Sequence, residues 1–412
     1  MANSRFTRRQ FAAVVSFALV FALLFAAVDR LLFNETFFSP VWTRLREEKK
    51  APQVLIMGNS HAFCSFLPEI INESLDVDSA VLGTSGQNSL SVADGFEAVV
   101  KVDPPEIAVI EVNPFLMDAD AMEAYHKASA LNYINGMPGL FQRIKSTWNQ
   151  LGFENIPQGA FQLLRADLMW TRWNSNAEIV FSPDGSAPLG WHAQGTYDAK
   201  LVQAEAIDDY AHSTPAKPEE RNEKAFRKVL NLAQKYGVQV VLVKTPLVAS
   251  TQGAVDGIAG LAQIAAEYGD TVLGLKDFHT EISDMGLEAR DFYDNGHLSH
   301  SGAAKFSIAF AEWLASLMNI EPDFSHAFAY AGESVCQLDS GNWRYTMNAL
   351  GEAVEYRFSI VSGGGETVIK DWSADNFVDL GIPDAEELYV TMRCGEESIR
   401  QAFMTANTYV HR

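Results

Sequence analysis

Cysteine is scarce in this chain. Three residues among 412 are too few for the disulfide framework that staples small secreted folds. Cys336 and Cys394 both lie in the C-terminal segment and can pair if that segment is outside the cytoplasm, which leaves Cys64 as a lone thiol expected to be buried just after Ser60. Positive charge is short as well: 31 basic residues stand against 52 acidic ones, for a formal net charge of −21. With no basic face in the pattern, nucleic acid is excluded as a partner. Internal repeats and low-complexity segments are absent, and hydrophobic and charged fractions of 48% and 20% exclude a disordered chain. The length suits two or three domains.

Long apolar runs are also few, and the clearest stands at the N-terminus. Arg5, Arg8 and Arg9 precede Phe11–Val28 with no acidic residue among them, and Leu31–Phe33 extend the run. By the positive-inside rule the N-terminus stays in the cytoplasm and the rest is exported. The run exceeds a signal-peptide core and its cleavage site at Ala26 and Ala27 is weak, so residues 1–33 read as a cytoplasmic stub and single-pass anchor that leaves the rest of the chain outside the cytoplasm. Residues 34–50, with Trp42 placed near the interface, read as a juxtamembrane helix or stalk.

Beyond residue 50, short apolar strands alternate with amphipathic helices. Val54–Gly58, Val81–Gly83 and Ile107–Val112 each end in a small polar or glycine-bearing turn, and the rhythm resumes after residue 220 with the helix Asn222–Tyr236, the strand Val238–Val243, the helix Val255–Tyr268 and the strand Thr271–Leu275. This order predicts an α/β domain over 51–322 with a parallel, doubly wound sheet whose turns share one edge. Residues 115–220 break the rhythm and read as a largely helical insertion. Its aromatics, among them Phe141, Trp148 and Phe153, read as core, while Trp191, in a loop rich in glycine and proline, is a candidate platform for a sugar ring. From 323 to 412, short alternating runs separated by glycine-rich turns predict an all-β sandwich with Trp372 buried inside it.

Two stretches carry chemistry. Ser60 follows the first strand at a turn into a helix, where a nucleophile can stand, although serine also caps helices. Asp294-Asn-Gly-His297 spaces a carboxylate three residues before an imidazole, so that the aspartate can orient the ring while its far nitrogen faces a serine. The rival reading makes Asp294, His297 and His300 metal ligands, but no further cluster of ligand spacing completes a site, and no metal or cofactor is expected.

In order, Gly58-Asn59-Ser60-His61, Gly83-Thr84-Ser85-Gly86, Asn113 and Asp294-x-x-His297-Leu298 with Gly302 resemble the sequence blocks of the SGNH/GDSL hydrolase superfamily. The resemblance is closest to the membrane-anchored bacterial branch that includes DltD-like and alginate O-acetylation proteins, and it covers about residues 52–320. It implies a flavodoxin-like three-layer αβα fold, Ser60 as nucleophile, His297 as base, Asp294 as its partner, and an oxyanion hole from the Ser60 amide, Gly86 and Asn113. Two positions depart from the pattern. Asn59 stands where many members have aspartate, and Glu111-Val-Asn113-Pro114 lacks the glycine and second acid of the usual third block, so Asn88 is the substitute for Asn113 as a donor to the oxyanion and a candidate for contacting substrate. The expected function is serine acyl transfer, as an O-acetyltransferase or acetylesterase on an exopolysaccharide or wall glycan, with a membrane-embedded acyltransferase as a possible partner. The alternative is a non-catalytic polysaccharide-binding or secretion-complex component with a vestigial site.

Overall fold

The computed structural model describes residues 7–31, 40–117, 123–164, 216–248, 252–287, 291–324 and 329–403, apart from loop residues 339, 352, 363–364, 382–386 and 396. Helix α1 (Arg8–Leu31) is long and apolar enough to cross a membrane. After it, α2 (Pro40–Glu47) is not a free stalk. Val41, Trp42 and Leu45 are buried in the main core, the Trp42 ring meets Tyr133 edge-on at 5.2 Å, and Arg44 pairs with Asp78. Trp42, which the sequence places near a membrane interface, is a core residue.

Five strands follow in alternation with helices: β1 (Val54–Gly58), α3 (Ser60–Ser65), α4 (Pro68–Leu75), β2 (Ser79–Gly83), α5 (Ser89–Val100), β3 (Ile107–Glu111) and α6 (Asn113–Leu116). The helical insertion supplies α7 (Glu123–Gly136), α8 (Leu140–Leu151) and α9 (Ile156–Ala160), and then come α10 (Glu220–Tyr236), β4 (Gln239–Lys244), α11 (Gln252–Ala266), β5 (Val272–Asp277) and α12 (His300–Met318). The strands form one parallel sheet in the order β2-β1-β3-β4-β5.

Strand periodicity explains the layers. Successive side chains point to opposite faces, so Leu55, Met57, Ala108, Ile110, Val240 and Leu242 pack against α2, α5, α7, α10 and α11. Their neighbours Val54, Ile56, Ile107, Val109, Val241 and Val243 pack against α3, α4 and α12. A sheet covered on both faces needs apolar residues at every position, which is why these strands read as continuous runs rather than alternating ones.

The C-terminal region is antiparallel. β6 (Ala329–Gln337), β7 (Trp343–Leu350) and β10 (Phe377–Leu380) form one sheet; β8 (Glu355–Ser362), β9 (Gly365–Ser373), β11 (Glu387–Cys394) and β12 (Glu397–Phe403) form the other. Tyr345 and Met347 from the first share a core with Phe358, Leu388, Val390 and Met392 from the second. Trp372 is outside that core. It is half-buried, with the Arg393 guanidinium 4.1 Å over its ring. The Cys336 side chain lies outside the described residues, and with it the expected pairing to Cys394.

Candidate active site

The sheet register assembles the edge from which the site rises. Gly58 pairs with Gly83, Met57 with Ile110 and Glu111 with Val243, so the turns after β1, β2, β3 and β4 emerge side by side at the carboxyl ends of the strands. Gly58 is required by crowding: a Cβ there would lie 2.8 Å from both Ala62 Cβ and Glu111 Cβ.

Ser60 opens α3, with Asn59 as its cap. Asn59 Oδ1 accepts the His61 N–H at 3.0 Å, so the serine side chain is not consumed in capping. The opposite half of the site is the loop between β5 and α12. Phe292 and Leu298 bridge across it and are fully buried in the core; the Tyr293 N–H donates to His297 O at 2.9 Å, and the Ser299 N–H to Asp291 O at 2.8 Å. Buried Asp291 pairs with Lys305 at 2.7 Å. Gly302 fits here because a Cβ would lie 2.1 Å from Asp291 O. Ser299 caps α12, and the Val248 N–H donates to Asn295 O at 3.1 Å, tying the loop to the segment after β4.

Held this way, the loop brings together residues 237 positions apart in the chain. His297 Nε2 lies 2.7 Å from Ser60 Oγ, and His297 Nδ1 lies 2.8 and 2.9 Å from the two oxygens of Asp294. Asp294 Oδ1 also accepts the Gly296 and His297 N–H groups at 2.8 and 2.9 Å. Burial opposes ionisation of this carboxyl, but these donors and the imidazole hold its pKa below the ordinary value, so Asp294 is a carboxylate acceptor. In the tautomer with its proton on Nδ1, His297 donates to Asp294 and accepts the Ser60 hydroxyl proton at Nε2.

Comparison with family models and with curated proteins returns no match.

Around this constellation the remaining expected residues take separate places. Gly86 adopts a left-handed backbone (φ 65°) in the turn after β2. Asn88 caps α5, its Oδ1 accepting the Ser91 N–H at 3.0 Å, which accounts for one side of its amide structurally. Asn113 opens α6 and its N–H donates to Glu111 Oε2 at 3.1 Å, so an oxyanion contact from this residue would have to come from its side chain. Trp191 lies outside the described residues. His300 is the buried first residue of α12, and among the described residues no group of three His, Cys, Asp or Glu side chains could hold a metal ion. Cys64 is buried, and burial raises its thiol pKa, which leaves it protonated and unreactive.

Three residues not read as functional from the sequence lie under the site. The His61 ring lies beside that of His297, tilted by 37° with ring centroids 5.1 Å apart, and its buried Nδ1 has no hydrogen-bond partner among the described residues. Burial, with Lys244 and His297 nearby, lowers its pKa well below the ordinary value, so it is neutral. Glu111 and Lys244 end β3 and β4 and are fully buried. Burial pushes Glu111 up to about 7 against the pull of Lys244 and of hydrogen bonds from Asn113 and Thr245. A lone acid at the end of Ile-Ala-Val-Ile and a lone lysine at the end of Val-Val-Leu-Val were the available signal, since charged residues are almost never fully buried without a partner.

Proposed function

We propose that this chain is an exported, membrane-anchored serine acyl-transfer enzyme of the SGNH/GDSL type, with a flavodoxin-like catalytic domain, acting as an O-acetyltransferase or acetylesterase on an exopolysaccharide or wall glycan. The observation that carries this reading is the hydrogen-bonded line from Ser60 Oγ through His297 to Asp294. His297 Nε2 takes the hydroxyl proton as Oγ attacks an ester carbonyl, and Asp294 stabilises the imidazolium formed. The imidazolium returns its proton to the departing alcohol oxygen, leaving an acyl group on Ser60. Water or a sugar hydroxyl, deprotonated by the same imidazole, then attacks the acyl-serine, and Oγ recovers the proton. The Ser60 amide, the Gly86 turn and the Asn113 side chain are the donors assigned to the oxyanion. A glycan substrate is the reading that the anchor, the family resemblance and the β-rich C-terminal region together support.

p-Nitrophenyl acetate provides the direct test. The purified protein should hydrolyse it, Ser60→Ala should lower kcat by roughly 10³-fold or more, and a serine-directed phosphonate should label Ser60 alone. Wild-type activity in Ser60→Ala, or labelling elsewhere, would sink the mechanism. An inactive, unlabelled wild-type protein that still bound glycan would favour a vestigial site.

A further inference from the structure

Helix α8 is inside out for a helix on a water-soluble surface. Its polar residues Gln142, Ser146 and Thr147 face inward and are buried. Lys101 Nζ donates to Gln142 at 3.3 Å, and Lys145 reaches buried Glu97. The opposite side carries Leu140, 42% exposed, Phe141, 78%, and Trp148, 62%, and Phe153 in the following turn is 72% exposed. Phe141 and Trp148 are seven residues apart, two turns along one face, and the Trp148 and Phe153 rings touch edge-on at 6.2 Å. These are the aromatics that the sequence suggested were core. The reverse holds because Lys145 and Gln150 of α8 reach buried Glu97, Asp94 and Ser91 of α5, so the apolar face is left outside.

The location of this patch narrows what can cover it. Helix α9 packs on α8, and the turn after α9 meets the far end of α1. The Leu163 N–H donates to Asp29 Oδ1 at 2.8 Å, and the Phe25 ring stands edge-on to Phe161 at 5.1 Å. Asp29 is the last residue of the membrane-length span. The exposed aromatic surface therefore belongs to the part of the domain seated on the end of α1, where a bilayer would pass from hydrocarbon to headgroups. Tryptophan and phenylalanine favour that depth, and a helix with one apolar face lies in that plane. An uncovered apolar patch marks a partner surface.

We propose that Leu140, Phe141, Trp148 and Phe153 form a bilayer-contact surface that lays the catalytic domain on the membrane in which α1 is anchored. The inference rests on reading α1 as an anchor. With both contacts made, the domain has a set orientation to the lipid surface instead of swinging from a single helix.

The test uses the full chain in phosphatidylethanolamine/phosphatidylglycerol nanodiscs, with Cys336→Ser and Cys394→Ser, and an environment-sensitive nitrobenzoxadiazole probe on Phe141→Cys, Phe153→Cys, Leu19→Cys in α1, or Lys235→Cys on α10. Probes at 141 and 153 should be quenched about twofold or more by nitroxides on the upper acyl chain, as should the probe at 19 by deeper nitroxides, and all three should resist aqueous iodide. The probe at 235 should behave oppositely. If position 19 is in lipid while 141 and 153 are quenched by iodide, the contact surface is refuted and the anchor stands. If position 19 is itself open to iodide, the anchor reading fails and takes this proposal with it. Protection of 141 and 153 from iodide without lipid quenching would mean a protein covers the patch, which also overturns it.

Discussion

Glu111 and Lys244 set the behaviour of the site's floor with pH. The Glu111 carboxyl lies above its ordinary value of 4.5, at about 7, because burial penalises its charge. A group whose pKa is raised on folding stabilises the fold below the unfolded pKa, and that contribution is lost as pH rises through the folded value. Urea unfolding should therefore find stability falling between about pH 4.5 and 7, and Glu111→Gln should flatten that decline; an unchanged slope would remove Glu111 as its cause. Lys244→Met removes the charge that holds Glu111 down to about 7, so the carboxyl takes up a proton at pH 8 and the variant should cost about 1 kcal/mol there, less at pH 5, where Glu111 is protonated with or without the lysine. The double variant should recover much of the loss. If Lys244→Met is as stable as wild type at pH 8, the two groups are not coupled. His61 belongs at this scale too. Its place beside His297 was not readable, because nothing in its local sequence announces that a loop more than two hundred residues away will bring His297 there.

At the scale of elements, α2 makes the sharpest departure from what local sequence suggests. The segment looks like a stalk because it is short, charged at its end and adjacent to an apolar run. Yet Trp42 is fully buried against Tyr133, and a Cβ on Gly136 would come within 2.3 Å of its ring. Trp42→Ala should cost about 3–5 kcal/mol and lower the thermal midpoint accordingly; a change under about 1 kcal/mol would mean the site collapses around the gap. The sheet itself was legible. Each strand is a short apolar run closed by glycine or a polar turn, and strand–helix alternation admits few topologies. The Ser60, Asp294 and His297 set was legible for a related reason: Asp-x-x-His is local, and a serine at a strand-to-helix turn is positioned by the sheet. The orientation of α8 was not. Its spacing marks two faces correctly, but which face turns inward depends on Glu97 and Lys101 of another element.

At the scale of the whole molecule, β6 packs against α12, so the antiparallel region borders the helix that follows the His297 loop. None of the hydrogen bonds linking Ser60, His297 and Asp294 involves that region. A chain ending near residue 322 should keep p-nitrophenyl acetate hydrolysis within about threefold while losing activity on polymer. A folded truncation inactive on the small ester would show that the region completes the site.

The docking of α2 also limits reach. Only residues 32–39 separate α1 from a helix built into the core, and eight residues span at most about 30 Å even when fully extended. On the proposed function, a catalyst held on so short a leash from a bilayer would work in two dimensions: its turnover would follow the number of molecules per area of membrane, and a polymer strand that had drifted far from the surface would be out of range. Acyl groups would then be placed only on the part of a chain that lies within that reach of the membrane surface.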